Sequence, residues 1–206
     1  MESDSIQNYS LNLQKDNIIR SGIVLYICSN TKKITILCSE EGKLELFFHE
    51  RKILYNGLLI SFLIEKRNLI IKEILPIHFK FDNEFLNFYH LTLELCKNFL
   101  PVGFNSKEIF NLLNFLYFFC SLFKESNFNQ KLLLYKLFQH LNLTFFEEKS
   151  EILKKIYVIP IDRMVKGEID LKIERELDDW IKKCLDLNPD IFKLKSSLFF
   201  KEVGIL

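Results

Sequence analysis

The sequence predicts an α+β protein, with an N-terminal small β-barrel followed by a C-terminal all-helical domain. Three observations predict it. Five short β-rich runs, at 22–28, 33–38, 43–50, 57–65 and 68–75, follow one another with no helical pattern between them. Turn-tolerant residues separate them, at Asn30-Thr31, Glu41-Gly42, Asn56-Gly57 and Arg67-Asn68. After Asp82 the apolar period changes from that of strands to that of helices. Five strands within about 60 residues fit an OB-fold-like barrel. An SH3-like barrel or a curled meander satisfies the same count. The expected division is a polar N-terminal tail at 1–17, a barrel at 18–80 and a helical domain at 81–206.

The hairpin at 33–48 carries the clearest pattern. Ile34, Ile36 and Cys38 share one strand face, and Leu44, Leu46 and Phe48 do so on the next strand. Gly42 can supply the positive φ that the acidic turn between them needs. The other face of the second strand carries Lys43, Glu45, Phe47 and His49. A core-facing row therefore backs a surface with cations and one exposed ring, which suits a nucleic-acid strand.

Pro76 closes the β part. Phe85, Phe88, Tyr89, Thr92, Leu93, Cys96 and Phe99 then follow helical spacing up to Pro101. Ser106 is read as the cap of a second helix whose apolar positions, 109–123, occupy nearly its whole circumference, so this helix is expected at the centre. A third helix is expected at 129–143, a short one at 150–156 and a charged, solvated one at 170–187.

Composition sets further bounds. The chain has 206 residues, 21 of them Phe and none Ala, a bias that places Phe and Ile where other proteins use smaller residues. Net charge is +1, but residues 18–80 hold ten basic against six acidic side chains. That modest excess fits a weak, salt-sensitive phosphate contact. The five cysteines (Cys28, Cys38, Cys96, Cys120, Cys184) lack metal-ligand spacing and read as small buried hydrophobes in a reducing compartment. Residues 1–17 have no secretory pattern and are expected to be a frayed tail. The run 110–123 is too short and too polar for a membrane span, so a soluble, cytoplasmic protein is expected. No phosphate loop, dinucleotide fingerprint, zinc-protease motif or nucleophile elbow occurs, and no catalysis and no cofactor are expected.

The order of motifs resembles the RecO family of bacterial recombination mediators. Gly22-Ile23-Val24-Leu25 and the strand ending Ser39-Glu40-Glu41-Gly42-Lys43 look like that family's opening, with Ser39 where Thr is common. Phe88-Tyr89-His90-Leu91-Thr92-Leu93-Glu94-Leu95, Ile109-Phe110-Asn111-Leu112-Leu113, Leu137-Phe138-Gln139-His140-Leu141-Asn142 and Leu194-Lys195-Ser196-Ser197-Leu198-Phe199 are similar to its later helices, in register over nearly the whole chain. The family's four-cysteine zinc module is absent after the third helix, and its basic loop shrinks to His49-Glu50-Arg51-Lys52. The resemblance implies a non-enzymatic DNA repair mediator. Such a protein binds and anneals single- and double-stranded DNA. It works with RecR to load the RecA recombinase, and it captures the acidic, Phe-ended C-terminal tail of single-strand-binding protein.

The DNA-binding residues expected on this reading are Lys32, Lys33, Lys43, Phe47, Arg51 and Lys52, cations for phosphates and a ring for a base. Lys131, Tyr135 and Lys136, on the third helix, are the expected tail-binding residues, with Lys131 and Tyr135 on one face. The alternative is a protein-binding adaptor or scaffold whose barrel never touches DNA.

Overall fold

A computed structural model describes residues 18–50, 52–75, 83–104, 106–124, 126–144, 150–164 and 171–205. Strands β1 (Arg20–Cys28), β2 (Lys33–Cys38), β3 (Gly42–Phe47), β4 (Leu59–Glu65) and β5 (Asn68–Ile74) form a closed barrel in the order β1-β2-β3-β5-β4. Every neighbouring pair is antiparallel except β3 and β5, which run parallel and meet at Phe47 and Asn68. This is the OB-like answer among the barrels considered. The register pairs Ile34 with Leu46 and Ile36 with Leu44, and Gly42 takes φ 74° at the hairpin turn.

Period-two alternation fills the barrel with Val24, Ile34, Ile36, Cys38, Leu44, Leu46, Ile60, Phe62, Ile64, Leu69 and Ile71. The alternate residues Ile23, Leu25, Leu37 and Leu59 point outward, yet they are buried too, because the helices pack on them. Barrel and helices therefore share one continuous outer core. The expected boundary at 80/81 falls in 76–82, outside the described residues, as do the 1–17 tail and Pro76.

The helical part comprises α1 (Asn83–Phe99), α2 (Lys107–Phe118), α3 (Cys120–Lys124), α4 (Asn127–His140), α5 (Glu151–Val158), α6 (Ile161–Met164) and α7 (Leu171–Leu187). Two 3₁₀ turns (Pro189–Lys193 and Lys195–Leu198) follow, then α8 (Phe199–Glu202). Two expectations are corrected here. The predicted run 109–123 is not one helix but α2 and α3, broken at Phe119. Nor is it central: Lys107, Glu108, Asn111 and Phe118 are exposed, whereas α4 is buried at every residue from Phe128 to Phe138.

Polar residues of α4 tolerate burial because each finds a partner. Ser126 caps α4 by accepting from the Asn129 amide at 3.2 Å. Asn129 and Gln130 donate to the Leu122 and Phe123 carbonyls, both at 2.7 Å. Ser106 occupies the N-cap position of α2 but makes no cap bond, and its buried Oγ has no hydrogen-bond partner.

Candidate nucleic-acid interface

Three rungs of residues run across the outer face of β1, β2 and β3. The lowest, Ile23, Leu37 and Lys43, lies under the helices. The middle rung is Tyr26, Thr35 and Glu45, overhung by Lys97, whose Nζ sits 3.5 Å from the Tyr26 ring centroid. The upper rung is Cys28, Lys33 and Phe47, and it continues to Asn68 on β5. This end of the barrel is open, with Lys33 and Phe47 exposed. Phe47 is 38% exposed and stacks on His49 with ring centroids 6.2 Å apart.

Two turns flank that stack. The Phe47 amide donates to the Arg67 carbonyl at 2.9 Å, and the Phe48 amide donates to the Lys32 carbonyl at 2.8 Å. The β1–β2 turn thus brings Lys32 beside Lys33, and the β4–β5 turn brings Lys66 and Arg67 to the other side. All four side chains are exposed. None has a carboxylate within ion-pairing distance among the described residues, although Glu65 and Glu45 stand on neighbouring rungs. The opposite pole of the barrel carries Glu40 and Glu41, the latter paired with Arg20 at 2.6 Å.

The expected DNA residues separate accordingly. Lys32, Lys33 and Phe47 gather at the open end. Lys43 does not: it is 7% exposed, and its Nζ donates to the carbonyls of Lys97 at 2.5 Å and Leu100 at 2.6 Å, closing the C-terminus of α1. Lys52 pairs with Glu50 at 3.0 Å, and together they cover the open edge of β5. Lys52 donates to the Ile71 carbonyl at 2.8 Å, and Glu50 accepts from the Ile71 amide at 2.7 Å. Arg51 lies outside the described residues. Lys66 and Arg67 escaped the sequence reading because a turn between apolar runs looks the same at either pole. Because Phe47 at the end of β3 pairs with Asn68 at the start of β5, the β4–β5 turn sits beside the ring, and that register locates them.

The expected tail-binding residues are interior ones, so a surface site at these positions is corrected. Lys131 is 4% exposed and bridges to Glu174 at 3.1 Å and Asp178 at 2.8 Å, tying α4 to α7. Burial opposes its charge, but the Asp178 and Glu174 hydrogen bonds outweigh it and raise the pKa. Tyr135 is fully buried, its hydroxyl donating to the Leu153 carbonyl at 2.8 Å. Lys136 donates to the Tyr157 carbonyl at 2.8 Å, and burial lowers its pKa to about 8.

Four cysteines are buried as the composition suggests, but Cys28 is only half-buried, on the open rung. Hydrogen bonds from Thr31 and the charge of Lys33 lower its pKa, while burial raises those of Cys38, Cys120 and Cys96, the last to about 12. Iodoacetamide at neutral pH should therefore alkylate Cys28 at least about tenfold faster than the others. Peptide mapping by mass spectrometry that finds another cysteine modified first would contradict this placement.

Among the described residues no group of three or more His, Cys, Asp or Glu could hold a metal ion, and no helix is long and apolar enough to cross a membrane. Compared with models of known protein families and with curated proteins, the chain matches none of either.

Proposed function

We propose that the chain binds nucleic acid at the open end of the barrel and acts, without catalysis, as a DNA repair and recombination mediator of the RecO kind. The observation that carries the binding reading is the exposed Phe47 ring beside the cations of Lys32 and Lys33, neither of which is in an ion pair among the described residues. Strand-2 and strand-3 faces and the adjoining turns are where OB-type barrels receive oligonucleotides. Cations neutralise phosphates, and a ring accepts a base. The motif order supplies the mediator half of the proposal. Single- and double-stranded DNA, RecR and the tail of single-strand-binding protein are its partners on this reading, and a surface other than α4 receives the tail.

The test is fluorescence anisotropy of a labelled single-stranded oligonucleotide at low and moderate salt. Binding should weaken with salt. Phe47→Ala should cost about 5- to 150-fold in affinity, and Lys33→Gln should reduce the salt slope by about 0.7. No binding at low salt would favour the adaptor instead. That second reading draws on one observation: the helices cover the lowest rung, Ile23, Leu37 and Lys43, so that the outer face is left to the two upper rungs.

A further inference from the structure

The described residues include four non-glycine positions with a left-handed backbone: Lys32 (φ 53°), Lys66 (φ 47°), Arg67 (φ 69°) and Asn142 (φ 53°). This region is costly for most L-residues and inexpensive for Gly or Asn. Elsewhere the chain uses the inexpensive residues, with Asn142 after α4 and Gly42, Gly57, Gly103 and Gly204 at their own positive φ values. Among the described residues it departs from that rule at three positions. All three are basic, and all three lie at the open pole of the barrel. Compositional bias does not explain the departure, because Asn is abundant in this sequence and would serve at each position.

A two-residue hairpin turn with positive φ at both central positions favours Asn-Gly above other pairs. Here the β4–β5 turn is Lys66-Arg67, both side chains exposed and neither in an ion pair among the described residues. Among the described residues no hydrogen bond or ion pair rewards those long side chains. A local rule broken without structural compensation marks a functional position.

We propose that Lys66 and Arg67 form one jaw, and Lys32 the other, of a phosphate clamp that grips a nucleic-acid backbone over the Phe47–His49 stack, and that the fold gives up stability to keep these cations there. The proposal rests on the nucleic-acid reading above and extends it to a turn which that reading does not need. The carbonyl of Arg67 holds the Phe47 amide and the carbonyl of Lys32 holds the Phe48 amide, so both jaws are fixed to the strand that carries the ring. Phosphates on either side of a stacked base would meet one jaw each.

Two double variants test it in the full-length protein. Lys66→Asn/Arg67→Gly installs the favoured turn pair. It should raise Tm by about 3–6 °C, reduce oligonucleotide affinity at low salt about tenfold, and lower the salt slope by about 1.4. Lys66→Gln/Arg67→Gln removes the charges but keeps side chains that disfavour this backbone, so it should show the same binding loss with no rise in Tm. Either variant retaining wild-type affinity and slope overturns the clamp. A first variant with unchanged Tm overturns the exchange of stability for binding. A wild type that binds no oligonucleotide sinks the nucleic-acid reading itself. Binding to vesicles of anionic phospholipid but not to oligonucleotide would assign the same phosphate chemistry to a membrane surface and overturn the proposal.

Discussion

Lys43→Met lowers the free energy of unfolding by about 2–4 kcal/mol, and Lys43→Glu lowers it further. In the native protein the Lys43 ammonium donates to the Lys97 carbonyl in the last turn of α1 and to the Leu100 carbonyl just past its end. The Lys43 carbonyl in turn accepts from the Gly103 amide at 2.8 Å, and Lys43 bridges to Val102 in parallel. One residue of β3 thus holds both the end of α1 and the segment after it. Methionine keeps the stem and leaves buried carbonyls without a donor. Glutamate puts an acceptor against acceptors, with the negative end of the helix dipole adding to the repulsion. Urea denaturation followed by far-UV circular dichroism measures the change, and a loss below about 1 kcal/mol would show that the staple is dispensable. Charge reversal at Lys43 consequently reports folding, not nucleic-acid contact, and Lys33 is the probe to use.

Gly57→Ala costs about 3 kcal/mol or more. Gly57 sits at φ +89°, where any Cβ is strained, and that Cβ would lie 2.4 Å from Cε1 of Tyr89. The ring cannot step aside, because its hydroxyl donates to the Gly57 carbonyl at 2.6 Å and the side chain is buried. The Gly57 amide meanwhile donates to the Val24 carbonyl at 2.6 Å. The joint therefore links the barrel wall to α1 through one residue. A double-mutant cycle with Tyr89→Leu separates clash from strain. The pair should lose clearly less than the sum of the singles, and strict additivity would mean that the ring does not resist the new methyl.

Much of the barrel was legible because alternation is a local property. Ile34, Ile36, Leu44 and Leu46 face inward in the register that the pattern implies. What covers the outer face was not legible, since Lys43 alternates like any solvated cation and only the path of α1 buries it. A partial signal existed. Ile23-Val24-Leu25 and Ile36-Leu37-Cys38 are apolar on both faces, the mark of strands covered on two sides. The helices misled for a different reason. Asn129, Gln130, Lys131 and Lys136 make α4 read as amphipathic, but each is buried with a partner from another element or a preceding turn. The break at Phe119 has no Gly or Pro to announce it. Lys32 and Lys33 lie at the open pole, and placing Lys66 and Arg67 beside them required the strand order.

The shared outer core also shapes how the chain must be made. When residue 75 leaves a ribosome all five strands exist, but Ile23, Leu25, Leu37 and Leu59 still face water. Their cover, α1 and α2, ends at Phe118. At synthesis rates of about 5–20 residues per second, the nascent barrel waits roughly 2–9 seconds with an adhesive flank. A fragment ending at the last strand stays in that state permanently and should self-associate. Barrel and helices are thus a single unit of inheritance, and recombination between genes could not exchange one half without the other.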